Sequence, residues 1–89
     1  MTTTEPATFT QRLIAFIRAE VMLGDEPLEA ETDLVMTGLV DSLGVVLIVE
    51  WMESALGIEI DPGDVVIEHF ESVAAMVDYL RGRGDCAVD

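Results

Sequence analysis

The chain has 89 residues, of which 51% are hydrophobic and 25% charged, a composition that fits one small folded domain. Its 18 acidic residues face four arginines and no lysine, so the formal net charge is −14 at pH 7. Such a surface repels nucleic acid and anionic membrane, because binding to either requires basic side chains that neutralise phosphates. The acidity either attracts partners with basic patches or only keeps a small protein soluble.

The ends of the chain and its rare residues restrict the function further. No apolar run is long enough for a transmembrane helix, and residues 1–6 lack the basic and apolar regions of a signal peptide, so we expect a cytoplasmic protein without membrane insertion. Cys86 and His69 are the single cysteine and histidine, too few for an internal disulfide or a zinc site. A catalytic pair of these two is not favoured, since Cys86 lies in a Gly-rich tail and His69 in a segment that we interpret as structural.

The first predicted helix runs from about Thr8 to Leu23. Thr8 and Gln11 fit a capping box, in which each side chain accepts a hydrogen bond from the other residue's backbone amide. Apolar residues then recur at helical spacing, namely Phe9, Leu13, Phe16, Ile17 and Val21. Residues 28–40 have no sustained periodicity and are predicted to form a long loop. The loop residues expected to contact the core are Leu28, Leu34, Val35 and Leu39.

The second helix is predicted to begin at Asp41 or Ser42 and to end near Leu56. One continuous apolar stripe is formed by Val45, Ile48, Val49, Met52 and Leu56. Gly57 follows, where a left-handed C-cap favours glycine. Residues 45–49 are rich in β-branched side chains, which leaves a buried strand as the alternative. We favour a helix, because the run continues beyond residue 49 without a turn signal.

Two shorter helices follow. Asp61 and the proline after it are typical of a helix start, and predict a short helix over about 62–67. Ser72 is predicted to cap the last helix, which ends at Gly82 after a basic last turn. The apolar stripe of this last helix is Val73, Met76, Val77 and Leu80.

These elements predict an all-α fold, a four-helix bundle with a long first loop and a short third helix. We expect residues 1–7 to be disordered, residues 8–82 to form the domain and residues 83–89 to be a flexible C-terminal tail. A monomer is expected.

Ser42 is the candidate functional residue. It follows an acid at the predicted start of an apolar helix, where the hydroxyl is expected to be exposed and the helix start is electropositive. Asp and Ser are both favoured helix caps, so capping alone explains one of these two residues and not both. No nearby side chain is suited to act as a base, which favours a serine modified by another enzyme over a catalytic nucleophile.

Other chemistries lack their sequence patterns. The Gly-x-Ser-x-Gly turn of serine hydrolases is incomplete, because Val40 stands at the position of its first glycine. Neither an EF-hand loop nor a phosphate-binding glycine loop with its lysine occurs. No catalytic residue and no metal ligand is therefore predicted.

A second face of the predicted second helix lies beside Ser42 and extends the apolar surface beyond the core stripe. Exposed apolar side chains next to a capped serine are typical of a docking site for another protein. The residues predicted to bind partners are Leu43, Val46, Leu47, Glu50 and Glu53.

The chain resembles the acyl and peptidyl carrier protein family over about residues 8–82. Residues 41–43 match its Asp-Ser-Leu attachment motif, residues 57–60 match the segment that closes its second helix, and residues 73–80 match its last helix. The resemblance implies that a phosphopantetheinyl transferase attaches 4′-phosphopantetheine from coenzyme A to Ser42. It also implies that Asp41 helps to position the serine, and that the thiol of the arm carries an acyl or aminoacyl group as a thioester.

The chain departs from the fatty-acid-synthesis type of carrier. That type usually has acids just after the motif and one turn later, where this chain has Gly44 and Leu47. The motif, and the longer stretch over 66–70, are closer to discrete carriers of specialised-metabolite pathways and to D-alanyl carriers, which are charged by an adenylating ligase and deliver to an acyltransferase or synthase. A fatty-acid-synthesis carrier and an unmodified acidic interaction domain remain the alternatives.

Overall fold

The structure is a computed structural model that describes residues 8–22, 27–86 and 88. Within these residues lie four α-helices: α1 (Phe9–Phe16), α2 (Ser42–Leu56), α3 (Ile67–Phe70) and α4 (Val73–Arg83). The described residues form no strand, so the predicted all-α fold with a long first loop and a short third helix is confirmed, and the strand alternative for residues 45–49 is excluded. The predicted disordered segment 1–7 lies outside the described residues.

The capping box at the start of α1 is present as predicted. The backbone amide of Gln11 donates to Thr8 Oγ1, and the Thr8 amide donates to Gln11 Oε1, each at a distance of 3.0 Å. α1 continues into a π-helical turn, Ile17–Val21, where the Met22 amide reaches back five residues to the Ile17 carbonyl at 2.8 Å. The predicted helix end at Leu23 lies outside the described residues.

The long loop is attached to the start of α4 by backbone hydrogen bonds. The Leu34 amide donates to the Glu71 carbonyl at 2.7 Å, and the Ala74 amide donates to the Ala30 carbonyl at 2.8 Å. Leu34 is completely buried, and Leu28 is buried as well, which confirms that these two residues pin the loop to the core. The other two predicted anchors, Val35 and Leu39, are half-buried.

α2 has the predicted bounds and the predicted inner face. Ile48 and Met52 are fully buried, while Val45, Val49 and Leu56 are half-buried against the core. Gly57 ends the helix with a φ of 66°, in the left-handed region that favours glycine, and its amide donates to the Glu53 carbonyl at 2.9 Å.

The segment before α4 differs from the prediction of one helix over 62–67. A 3₁₀ turn covers only Pro62–Asp64, the backbone of Val65 leaves helical geometry, and α3 then begins at Ile67. The cap on Asp61 was correctly predicted, since its carboxylate accepts the Gly63 amide at 2.8 Å. A cap starts a turn but does not set its length, and the β-branched residues that follow do not favour a continuous helix.

α4 extends one residue past its predicted end. Gly82 lies inside the helix, and Gly84, with a φ of 78°, is the left-handed residue that closes it. The predicted domain boundary after residue 82 thus falls within α4. The start of α4 is as predicted, because the Ser72 hydroxyl accepts the Ala75 amide at 3.1 Å.

One core joins the four helices and the loop. Nine of its side chains are almost completely buried: Phe70, Leu13, Ile17, Leu34, Ile48, Met52, Met76, Leu80 and Val73. No helix of the described segments has the length and apolar character needed to span a bilayer.

Candidate functional site

The start of α2 separates the capping residue from the serine. Asp41 is the N-cap, and its Oδ1 accepts the Gly44 amide at 2.8 Å. Ser42 is the first helical residue and is exposed, and its hydroxyl has no hydrogen-bond partner among the described residues. Because the short carboxylate of Asp41 satisfies the helix start, the Ser42 oxygen is left available to another molecule.

Gly44 lies on the buried side of this first turn. A Cβ at this position would come within 2.8 Å of Cγ1 of both Val21 and Val40, closer than side chains pack. Val21 belongs to the π-helical turn after α1, so this turn and α2 approach each other closely here. Gly44, which stands where fatty-acid-synthesis carriers usually have an acid, is thus buried here, and its close packing against Val21 and Val40 favours glycine.

The apolar side chains predicted beside Ser42 are exposed. Their exposed fractions are 67% for Leu43, 49% for Val46 and 37% for Leu47, while Glu50 is also exposed. Three further exposed apolar residues, which the sequence reasoning missed, come from outside α2: Met36, Val66 and Ile67. The three exposed residues of α2, Leu43, Val46 and Leu47, are called the apolar face.

Glu53 has a different place from the one expected. It is half-buried, and its Oε2 accepts the Ile60 amide at 2.8 Å, so it organises the loop that follows α2. One carboxylate oxygen of Glu53 is thus engaged inside the domain, and its assignment to the partner-binding face stays a prediction.

A pocket of about 470 Å³ opens beside Ser42. It lies between the loop before α2, the first turns of α2 and the segment that leads into α3. Its lining residues are Val35, Val40, Asp41, Ser42, Val45, Val46, Val65, Val66, Ile67 and Phe70. All but Asp41 and Ser42 are apolar, so the pocket suits an apolar group. The sequence signal that points to it is the consecutive apolar run over 65–67, which no helix stripe explains.

Polar groups at the far end of α4 form a hydrogen-bonded network. The Tyr79 hydroxyl donates to Asp64 Oδ2 at 2.9 Å and accepts from Arg83 Nη1 at 3.1 Å. Burial raises the pKa of the Tyr79 phenol above its ordinary value of 10.0, so it stays protonated and able to donate. The His69 ring lies 4.6 Å from the Tyr79 ring, between centroids, which agrees with its interpretation as a packed residue.

The remaining reactive groups do not assemble into a second site. Cys86 is half-buried with its Sγ 3.7 Å from the Leu80 carbonyl oxygen, and burial raises the pKa of its thiol, which disfavours the thiolate. No group of His, Cys, Asp and Glu within the described part of the chain is arranged to hold a metal ion.

The fold and the free serine at the head of an apolar helix define a small helical carrier domain. The family model of the phosphopantetheine attachment site matches residues 11–80, and the chain belongs to that family. Domains of this family hold covalently attached 4′-phosphopantetheine and act as substrate carriers rather than catalysts. No curated protein sequence matches the chain.

Proposed function

We propose that this chain is a discrete carrier protein in which Ser42 bears the 4′-phosphopantetheine arm. The observation that carries the proposal is the exposed, unbonded Ser42 hydroxyl at a helix start whose capping is done by Asp41. A phosphopantetheinyl transferase would supply the arm from coenzyme A. The serine oxygen then bonds to phosphorus, the bond from phosphorus to the adenosine bisphosphate leaving group breaks, and the hydroxyl proton passes to the transferase.

The chain's own residues would bind and orient the arm at its base. Free amides and the dipole at the start of α2 favour the negative charge of the phosphodiester. Asp41 keeps its cap hydrogen bond with the Gly44 amide, so the first turn need not rearrange when Ser42 is modified. The arm supplies a thiol that holds an acyl or aminoacyl group as a thioester, and its reach raises the effective concentration of that group at each partner.

The apolar pocket beside Ser42 supports an apolar acyl group as the cargo. Its walls place eight apolar residues against the two polar ones, and a charged aminoacyl group would lose hydration there without a partner. We further propose a specialised biosynthetic pathway, in which an adenylating ligase charges the carrier and an acyltransferase or synthase receives the cargo. Leu47, where acids are usual in fatty-acid-synthesis carriers, supports this assignment, whereas Gly44 does not bear on it.

A carrier of ordinary fatty acid synthesis is the second candidate, because the same pocket suits a fatty acyl chain. A D-alanyl carrier would leave the pocket without an occupant of matching chemistry. We also propose that the protein is monomeric and cytoplasmic, and that the apolar face meets its partners.

Intact-mass measurement tests the assignment of Ser42. The protein is incubated with coenzyme A and a promiscuous phosphopantetheinyl transferase, and a gain of one phosphopantetheine mass is expected. Ser42→Ala should gain nothing, whereas the matched control Ser54→Ala, an exposed serine on the same helix, should be modified like the wild type. An unmodified wild type would support the remaining alternative, an acidic interaction domain.

Charging assays separate the two carrier classes. The modified protein is offered to candidate adenylating ligases and, separately, to a generic set of fatty acid synthase enzymes. Efficient charging and elongation by the generic set would overturn the specialised pathway.

A further inference from the structure

The end of α4 is joined to the segment that precedes α3 through Arg83. Its guanidinium donates to the Glu59 carbonyl at 2.9 Å, to the Tyr79 hydroxyl at 3.1 Å, and through two nitrogens to both carboxylate oxygens of Asp85 at 2.7 and 3.0 Å. This contact with Asp85 is the sole ion pair in the described residues of a chain with 18 acids. Only 19% of the Arg83 side chain is exposed, so it lies well packed beneath Asp85 rather than free in solvent.

Tyr79 links Arg83 to Asp64 by hydrogen bonds. Its hydroxyl is the centre of the chain of hydrogen bonds, since it receives one from Arg83 and donates one to Asp64. Its ring also contacts the rings of His69 and Phe70, at 4.6 and 6.2 Å between centroids. Tyr79 therefore holds the segment from residue 64 to residue 70 at both of its ends.

The residues held in this way form one wall of the pocket beside Ser42. Asp64 is followed directly by Val65, Val66 and Ile67, and all three line the pocket. Val65 packs half-buried against the core and Phe70 is buried in it, but no side chain caps α3, and Val66 and Ile67 are exposed. The opposite wall belongs to α2, which is anchored in the core by Ile48 and Met52. The Arg83–Tyr79–Asp64 connection therefore adds to the core contacts of Val65 and Phe70 in fixing the wall formed by residues 65–67.

We propose that Tyr79 and Arg83 are positioning residues for the pocket, whose shape around the group carried at Ser42 they help to maintain by holding Asp64 and the wall formed by residues 65–67. This proposal rests on the proposed carrier function of Ser42. It assigns the end of α4 a part in protecting the thioester from water, although that end contributes no lining residue.

Two variants and one matched control test the proposal. Tyr79→Phe removes the hydroxyl and keeps the ring contacts, and Arg83→Gln removes the guanidinium. Arg81→Gln makes the same change of charge at an exposed position in the last turn of α4. Each protein is loaded with an octanoyl or an acetyl thioester from the corresponding acyl coenzyme A by a promiscuous transferase.

Two measurements are made on each protein. Amide hydrogen exchange at residues 65, 66 and 69 reports the wall, with the amides of α2 as the internal reference. Cleavage of the loaded thioester by hydroxylamine reports shielding, where the acetyl form is the baseline for a group too short to fill the pocket.

Tyr79→Phe and Arg83→Gln are expected to raise exchange in the wall, and to raise octanoyl cleavage, by roughly fivefold each, as for the loss of one hydrogen bond of average net strength. Acetyl cleavage, exchange in α2, and every measurement on Arg81→Gln should stay at wild-type values. Unchanged exchange in the wall would overturn the proposal. Faster exchange with unchanged octanoyl cleavage would reduce Tyr79 and Arg83 to structural residues and overturn it too. Failure of the wild type to accept an arm at Ser42 would refute the carrier function, while the exchange measurement would still decide whether these residues hold the wall.

Discussion

The starts of α2 and α4 have nearly the same sequence but use it differently. Residues 41–44 are acid, serine, aliphatic and glycine, and residues 71–74 are acid, serine, aliphatic and alanine. At α4 the serine is the cap, and its hydroxyl accepts the Ala75 amide. At α2 the acid is the cap, and the Ser42 hydroxyl is exposed without a partner among the described residues. The serine of α4 is engaged in capping its helix, whereas the hydroxyl of Ser42 at the start of α2 is not.

The difference follows from the length of the acidic side chain. The aspartate carboxylate at residue 41 is short enough to accept an amide of the first turn, and aspartate is among the favoured N-caps. Glutamate is not a favoured N-cap, so at the start of α4 the serine that follows Glu71 caps the helix instead. The one methylene by which the two acids differ thus accounts for the different cap at each helix.

The largest expected effect on stability is at Gly44, the third residue after the acid in the first motif. Gly44→Ala places a Cβ against Val21 and Val40, and overpacking costs about 1–3 kcal/mol, partly offset by the better helix propensity of alanine. We expect a net loss of stability of up to about 2 kcal/mol in urea unfolding, together with slower modification of Ser42.

The control for that substitution is Gly82→Ala in α4, where a Cβ would meet nothing within 4 Å. It should stabilise the protein by roughly 0.5 kcal/mol or more, as alanine does inside a helix. Equal stability changes for the two variants would mean that the close approach of the π-helical turn to α2 at Gly44 is absent.

The residue after each serine gives the next effect. Leu43 is exposed, whereas its counterpart Val73 is completely buried. Leu43→Glu should leave stability within about 0.5 kcal/mol and lower the rate of cargo transfer to the cognate partner by roughly tenfold, as for an anchor at an interface. Leu47→Glu should also slow cargo transfer, by an amount that corresponds to around 1 kcal/mol of lost interaction with the partner. Unchanged transfer kinetics in both would remove α2 from the partner contact.

The serine that is a cap should matter for stability alone. Ser72→Ala removes the hydrogen bond to the Ala75 amide and is expected to cost about 1 kcal/mol in chemical unfolding. The rate at which phosphopantetheine is attached to Ser42 in this variant should equal that in the wild type. Ser42→Ala should give the reverse pattern, and a stability loss there would imply that Ser42 shares in capping α2.

The smallest effect is expected for Asp41→Glu, which gives the start of α2 the same acid as the start of α4. Asp41→Glu should shift the capping role to Ser42, whose hydroxyl must then leave an amide before it can react. We expect modification to slow by roughly three- to fivefold, since about 1 kcal/mol is the net worth of such a hydrogen bond. Asp41→Asn keeps an accepting oxygen and is the control. If Asp41→Asn slows modification and Asp41→Glu does not, the charge of Asp41 matters and not its cap.

Local signals in the sequence were sufficient for the helix starts. The caps at Thr8, Asp61 and Ser72, and the glycine that ends α2, depend on residues within one turn of each other, so the sequence predicts them correctly. The end of α4 could not be predicted in this way. Gly82 and Gly84 each follow an arginine, and only the contacts of Arg83 with Tyr79 and Glu59 select the second.

The site was predicted only in part for the same reason. The exposure of Ser42 and Leu43 follows from the helical period, but the burial of Gly44 depends on how closely the π-helical turn approaches, which residues 41–44 do not encode. The pocket is assembled from three separate segments, so no single window of sequence contains it. The π-helical turn that brings Val21 to Gly44 has an apolar spacing that resembles an ordinary helix.

The aromatic contacts of α1 provide an optical reporter for this domain. Trp51, the only tryptophan, stacks on Phe16 with centroids 5.3 Å apart and lies beneath the guanidinium of Arg12 at 5.7 Å. It stands two and a half turns along α2 from Ser42, about 13 Å away along the helix axis. Its fluorescence therefore reports the packing of α1 on α2, away from Ser42, so unfolding can be recorded on the native chain without a dye.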